Sequence, residues 1–321
     1  MSNDLLTVKV NKKTTEADGI VSFELVDPDG ADLPRFTAGS HVDVYVADAP
    51  MRQYSLCNDP AERNRYLLGV LREMDGRGGS AAMHDRVGAG DLLEISQPRN
   101  NFELREDAAF SLLLAGGIGV TPVLAMAQRL HALNKDFAMH YCTRTRGRTA
   151  FYDFINGSSF GKHVEFHFDD GPVNQLLDIP ATLATQHDDT DLYVCGPTAF
   201  MDIVIAEASK HWRDEAIRRE YFTADPDLLQ DDDGSFKVKF GSTGAVYVIP
   251  GDKSIVDALA EQGVEIPVSC EQGICGTCLT GVLEGEPDHR DAFLTNDEHT
   301  ANDQMTLCCS RSKGPLLVLD L

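Results

Sequence analysis

Cys270, Cys275 and Cys278 stand at C-x4-C-x2-C spacing in PVSCEQGICGTCL, and the pair Cys308 and Cys309 follows in MTLCCSR. Three thiolates from one loop and a fourth from a distant segment form the ligand set of a plant-type [2Fe–2S] cluster. Zinc ribbons favour two paired C-x2-C units, whereas the distal half here offers adjacent cysteines. Gly273 and Gly276 lie inside the loop. Glycine there lets the backbone wrap tightly and turn its amides toward sulfur. Spacing alone leaves open which of Cys308 and Cys309 is the fourth ligand. A cluster of this kind moves one electron at a time and transforms no organic substrate. The rest of the chain must therefore supply the electron.

Three more patterns bear on that supply. AGGIGVTP follows an apolar run and opens a helix-period segment, with Gly117, Gly119 and Pro122 in a G-x-G-x-x-P array. Backbone amides and a helix N-terminus in such a strand–turn–helix setting suit a pyrophosphate. Proline in place of the third glycine departs from the usual dinucleotide fingerprint. YVCGP, at 193–197, ends a second apolar run with a glycine turn. RQYSLCN, at 52–58, joins a guanidinium, a phenol and a hydroxyl on one strand. Alternation puts Arg52, Tyr54 and Leu56 on one face and Gln53 and Ser55 on the other. Arginine pairs with phosphate, and tyrosine flanks rings.

The elements that must position these groups fall into three parts. The first hundred residues carry short alternating segments (LTVKVNKK, GIVSFELVD, SHVDVYVAD, RYLLGVLRE) separated by turns such as DPDG and DGRGG. They predict an antiparallel β-barrel, with one short helix over 79–87. From Phe110 onward, FSLLLAGG, FAMHYCT, HVEFHF and DLYVCG alternate with helix-period segments. That alternation predicts an α/β domain with a parallel sheet. Thr121 is expected as an N-cap, with Pro122 at the first helical position. DPDLLQDDDGS reads as an exposed linker. A hairpin over SFKVKFGSTGAVYVIP, a helix ending at Gly263 and a closing strand LLVLDL frame the cysteine loop. The expected division is 1–105, 106–224, a linker 225–234, and 235–321.

With 51 acidic and 28 basic residues the net charge is −23. This argues against nucleic acid, whose phosphates need Lys and Arg. It suits steering toward a basic protein partner, or solubility alone. No apolar run approaches spanning length, and the first residues show no secretory pattern, so a cytoplasmic protein without membrane attachment is expected. Eight cysteines in such a setting point to metal or redox chemistry before disulfides.

Taken in order, RQYSL, GRGGS, AGGIGVTP and YVCGP resemble the ferredoxin–NADP reductase superfamily. With a plant-type ferredoxin segment at the C-terminal end, the chain resembles the phthalate dioxygenase reductase family, vanillate demethylase reductases included. The resemblance covers essentially the whole sequence. It implies FMN in the barrel, NADH on the α/β domain, and a [2Fe–2S] cluster that reduces a separate Rieske-type terminal oxygenase. A monomer is expected. Arg52, Tyr54 and Ser55 would hold the flavin ring and phosphate region, and Val70, Leu71 and Arg72 would lie along the isoalloxazine. Gly78, Gly79 and Ser80 would cradle the phosphate. Thr121 would reach the flavin from the nucleotide domain, and Gly117, Gly119 and Pro122 would frame the pyrophosphate. Cys195, Gly196 and Pro197 would border the nicotinamide, and Phe222 would cover the flavin face. The family pattern CVSR against CCSR selects Cys308 as ligand and makes Cys309 a packing residue. Leu71 stands where the resemblance sets a basic residue. Arg144, Arg146 and Arg148 in CTRTRGR could hold a 2′-phosphate and favour NADPH, although NADH is the expected donor.

The oxygenase itself is not encoded here. No cysteine is followed by histidine at Rieske spacing, and the single E-x-x-H, Glu286 to His289, contains Pro287. His289, Arg290 and Asp291 are instead candidates to border the cluster mouth and touch a partner, or simply an exposed loop. The alternatives are an FAD-containing reductase for a diiron hydroxylase or a cytochrome, and a non-catalytic redox carrier or sensor.

Overall fold

The computed structural model describes residues 5–74, 78–184, 188–222 and 234–321, and of Asn174 and Asn296 only the backbone. The first two residues of GRGGS and most of the expected linker, 225–233, lie outside the described residues. The chain forms two compact units, Met1–Glu220 and Tyr221–Leu321.

In the first unit, β1 (Leu6–Ala17), β2 (Ile20–Val26), β3 (Ser40–Tyr45), β4 (Arg52–Ser55), β5 (Tyr66–Leu71), β6 (Leu92–Ile95) and β7 (Arg99–Asn100) form the expected antiparallel sheet. Its order is β4-β3-β6-β1-β2-β5, with β7 on β3. A bridge between Leu56 and Leu68 joins the two ends into a barrel. The β1–β2 turn is Asp18-Gly19, with Gly19 at φ 75°. Asp-Gly is the sequence that the twist of a two-residue hairpin favours. Inside the barrel, Val8, Phe23, Leu25, Val42, Leu68 and Ile95 are fully buried. Helix α1 (Gly79–Arg86) falls where the sequence predicts it.

A second sheet follows in the same unit, all parallel, in the order β10-β9-β8-β11-β12. Its elements are β8 (Phe110–Gly116), α2 (Val120–Ala132), β9 (Asp136–Thr143), α3 (Tyr152–Gly157), β10 (Val164–Phe168), α4 (Ile179–Leu183), β11 (Thr190–Cys195), α5 (Thr198–Ala208) and β12 (Ile217–Glu220). The chain winds one way from β8 to β10 and the other way through β11 and β12. The crevice between the carboxyl ends of β8 and β11 is thus the switch point at which such sheets bind ligands. Helix α2 starts earlier than the sequence suggests. Gly119 is its N-cap and Thr121 lies inside the first turn, with its hydroxyl donating to the Ile118 carbonyl at 3.0 Å. Pro122 costs nothing there, because the first turn's N–H groups have no intrahelical acceptor.

Barrel and parallel sheet share one unit because they are bonded to each other. Asp18 N donates to Gly147 O at 2.8 Å, and Gln128 Nε2 donates to the Cys57 carbonyl at 2.8 Å.

In the second unit, β13 (Phe236–Phe240), β14 (Val246–Ile249), α6 (Ile255–Ala260), β15 (Leu279–Glu284), β16 (Pro287–Asp288), α7 (Asn296–Ala301), β17 (Gln304–Thr306), β18 (Arg311–Ser312) and β19 (Leu316–Leu319) surround the cysteine loop. The main sheet runs β14-β13-β19-β15-β17. Strand β13 alternates buried and exposed residues and lays Phe236, Val238 and Phe240 on a core shared with Leu317 and Leu319. Among the described residues no helix is long and apolar enough to cross a membrane.

Candidate redox site

The loop between α6 and β15 carries three of the predicted ligands, and the segment after β17 carries the fourth. Backbone amides converge on their sulfurs. Gly273 N donates to Cys308 Sγ at 3.3 Å, Gln272 N to Cys270 Sγ at 3.3 Å, and Thr277 N to Cys275 Sγ at 3.5 Å. These bonds require the loop's own glycines. Gly273 and Gly276 sit at φ 71° and 69°. A Cβ on Gly273 would lie 2.4 Å from Cys309 Sγ, and one on Gly276 would lie 2.3 Å from the Phe293 ring.

The thiols interact as a set. Cys270 is drawn down, first by hydrogen bonds from the Cys275 and Cys308 thiols, and Cys278 is drawn down by that of Cys308. Cys275 and Cys308 are pushed up, first because they donate to Cys270. Sulfurs gathered in this way can serve one cluster, and the same contacts extend to Cys309. Amides aimed at thiolate sulfur fit that use. Cys309 adjoins Cys308 but has other neighbours as well. It is buried, lies against Gly273, and meets Thr306 Oγ1 at 3.2 Å.

One expectation at this loop needs correcting. His289 and Asp291 were candidates for partner contact, but their side chains are 8% and 0% exposed. Asp291 is held under the loop. Its carboxylate accepts from Leu294 N at 2.8 Å and from Ser310 Oγ at 3.3 Å, and its backbone packs on Gly273. It supports the loop from beneath and is not available to a partner.

In the first unit the predicted flavin residues gather around β4, β5 and the start of α1. Arg52 passes over Gly79, where a Cβ would lie 2.5 Å from Arg52 Cγ. Gly78 is in the left-handed region at φ 94°, and α1 begins with no side-chain cap. Guanidinium and uncapped amides thus meet at one place, which suits a phosphate group. Ser80 Oγ accepts from Glu73 N at 3.0 Å and fixes the turn. Val70 is fully buried, and its carbonyl meets His84 Nε2 at 3.0 Å. Leu71 closes β5, and Arg72 turns away onto Asp85 of α1 in a two-point pair at 2.6 and 2.9 Å. Tyr54 has a buried hydroxyl without a partner among the described residues. A buried phenol left in that state fits a bound group that would complete its hydrogen bond.

The two glycine turns of the parallel sheet are in contact. A Cβ on Gly119 would lie 2.3 Å from the Cys195 carbonyl, and one on Gly196 would lie 2.9 Å from the Gly116 Cα. Gly117 is at φ 53°, and Pro197 borders Gly116 at 3.0 Å from where a Cβ would stand. Thr121 extends from this turn to the barrel, since a Cβ on Gly69 of β5 would lie 2.7 Å from its methyl. Phe222 is a half-buried bend residue at the start of the second unit.

Sequence reasoning missed Glu220. It ends β12 in register with Cys195, it is half-buried with its Oε2 sealed from solvent and unpartnered among the described residues, and the Ser55 hydroxyl hydrogen-bonds it from the barrel. Burial pushes its pKa up to about 8, against a smaller lowering by Ser55. Burial, then Glu220, holds the Cys195 thiol well above its usual range. A barrel hydroxyl, a neutral carboxyl and a neutral thiol therefore meet at the carboxyl end of β11. No local spacing marks Glu220, because its partners come from segments far away in sequence. Gly69 and Gly116 were missed for the same reason.

This is a flavin- and nucleotide-type reductase body joined to a plant-type ferredoxin unit. Residues 239–313 match the 2Fe-2S iron-sulfur cluster binding domain family. The chain is 48% identical over 318 residues to a vanillate O-demethylase oxidoreductase of Pseudomonas sp. strain HR199, covering 99% of this chain and 100% of the relative. The solved phthalate dioxygenase reductase, a modular structure for electron transfer from pyridine nucleotides to [2Fe-2S], matches at TM-score 0.75 and 39% identity, covering 99% of this chain and 98% of that one. An intact type IV self-sufficient cytochrome P450 monooxygenase matches at TM-score 0.87 and 36% identity, where this chain spans 41% of the longer protein. The chain belongs to the phthalate dioxygenase reductase family, and it is an oxidoreductase with a [2Fe–2S] domain.

Proposed function

We propose that this chain is the reductase component of a Rieske-type oxygenase or demethylase, passing electrons from NADH through FMN and a [2Fe–2S] cluster to a separate oxygenase. It acts as a cytoplasmic monomer, with a flavin part at 1–105, a nucleotide part at 106–224, a linker at 225–234 and a ferredoxin part at 235–321. The observation that carries this reading is the junction of Ser55, Cys195 and Glu220, which brings the barrel's flavin strand to the ligand end of the nucleotide sheet. When bound, NADH would supply a hydride, FMN would convert the electron pair into single electrons, and the cluster would carry them singly.

The chain's own residues bind and orient these groups. Arg52 and the amides of α1 hold the flavin phosphate, and Tyr54 offers its phenol to the ring system. The Gly117–Pro122 turn takes the pyrophosphate on uncapped amides. Thr121 and Gly69 set the approach of the two sheets, and Pro197 shapes the far wall. Glu220 holds its proton at neutral pH, so no carboxylate charge stands beside Ser55 to oppose the negative charge that a flavin there would gain on reduction. Cys270, Cys275, Cys278 and Cys308 hold the irons.

The match to a P450 monooxygenase favours a second reading, in which the acceptor is a haem protein. Two measurements test the cofactors and their order. Heat-released flavin is expected to be FMN by chromatography, and FAD would overturn the barrel reading. Cys275→Ser is expected to abolish electron delivery to a Rieske oxygenase while sparing NADH-driven flavin bleaching. Equal loss of both would contradict the proposed order of cofactors.

A further inference from the structure

Parallel sheets with helices on both faces normally bury apolar side chains there. The β9–β10 edge of this one departs from that pattern. His140 of β9 stands in register with Glu165 of β10, and Cys142 stands in register with His167. Residues two apart on a strand share a face. His140, Glu165 and His167 accordingly project from the same side, each offering one ligand atom, and those atoms lie within 4.8 Å of one another. None of the three belongs to the flavin, nucleotide or cluster machinery described above.

The details are those of a metal site. His167 Nδ1 lies 2.9 Å from the Gln175 carbonyl. A carbonyl only accepts, so that nitrogen carries the proton and Nε2 presents a lone pair. Metal-bound histidines are usually oriented in this way, by a backbone carbonyl on the other ring nitrogen. Nε2 accepts from His140 Nδ1 at 3.0 Å, and that proton would give way to an ion as His140 takes its Nε2–H tautomer. Two nitrogens on one tetrahedral zinc, each about 2.0–2.1 Å from the metal, stand about 3.3 Å apart. A displacement of a few tenths of an ångström thus turns the present contact into a shared ion. Glu165 Oε2 lies 3.8 Å from the same His140 nitrogen, on a side chain that is 73% exposed and free to swing inward.

A second cluster, His289, Asp291 and His299, also converges. Its carboxylate is already engaged by Leu294 N and Ser310 Oγ. The first cluster has no such prior commitment of its carboxylate in the hydrogen bonds described.

We propose that His140, His167 and Glu165 form a binding site for one late first-row divalent cation, of the Zn2+ class, with a fourth position open to water. Two imidazoles and a carboxylate suit zinc, cobalt or nickel and disfavour the all-oxygen preferences of magnesium and calcium. The ion clasps edge strand β10 to β9 and, through His167, secures the turn at Gln175.

The test uses tag-free holoprotein, with flavin and cluster in place so that the four cysteines are occupied. Zn2+ titrated by calorimetry is expected to bind at one ion per chain and to raise the thermal midpoint, since a ligand bound only by the folded form stabilises it. His167→Gln and His140→Gln are expected to weaken binding by at least the roughly 10- to 100-fold that even outer-shell changes cost. Glu165→Gln, at an exposed position where folding is not in question, is expected to weaken binding and shrink the thermal shift. His289→Asn is expected to leave both unchanged. No Zn2+ uptake, binding indifferent to Glu165→Gln and His167→Gln, or loss in His289→Asn would each overturn the site. None of these results bears on electron transfer, so the functional reading stands or falls separately.

Discussion

Glu220 illustrates how one side chain links the two halves of the first unit. Its carboxyl, ordinarily at 4.5, is raised to about 8 by burial. The protonated form is therefore favoured by folding. That contribution is complete below the ordinary value and is lost as pH rises through about 8, at about 1.4 kcal/mol per pH unit between the two. Ionisation also places a negative charge beside Ser55, where it would oppose the charge that the proposed flavin gains on reduction. NADH-driven flavin bleaching, followed by stopped flow from neutral to alkaline pH, is expected to decline near pH 8. Glu220→Gln, which cannot ionise, is expected to remove that alkaline limb. A limb unchanged in the variant would assign it to another group.

The elements are positioned by close backbone approaches more than by side-chain bonds. The helix α2 turn can meet the end of β11 only because Gly119 has no Cβ, and the atom in its way is the Cys195 carbonyl at 2.3 Å, which is backbone. A flexible side chain could yield, but a strand paired on both edges cannot. Gly119→Ala should therefore force β11 and α2 apart. Overpacking of this kind costs about 1–3 kcal/mol. The expected outcome is a lower thermal midpoint together with a raised KM for NADH, with the [2Fe–2S] spectrum of the second unit unchanged. A variant with normal KM would show that the turn has slack.

At the scale of the whole molecule the dominant property is charge, at −23. Fields of this size steer a partner of opposite sign and are screened beyond about 8–10 Å at ordinary ionic strength. If the oxygenase docks by steering, the second-order rate of electron delivery should fall steeply with added salt. The first-order reduction of the flavin at saturating NADH should not. A delivery rate indifferent to salt would reduce the acidity to a matter of solubility.

Cysteine spacing marked the cluster loop while leaving Cys308 and Cys309 open, and periodicity and turn residues marked the barrel, the parallel sheet and the two glycine turns. Each of these is local: a spacing between cysteines, a period of two or 3.6, a turn residue beside a strand. Even the α2 start was missed by only two residues, because Thr121 is a good N-cap residue while the Gly117–Gly119 turn already supplies a one-turn lead into the helix. Features that required distant segments to meet emerged from the folded chain alone. Glu220 became a site residue once β12 lay beside β11 and the barrel brought Ser55 over it. Asp291 moved from proposed surface to support beneath the loop once Gly273 packed on it. His140, Glu165 and His167 became one cluster through the β9–β10 register. Burial, register and the absence of a Cβ at a crossing are properties of pairs of segments, and a single run of residues carries no record of its partner.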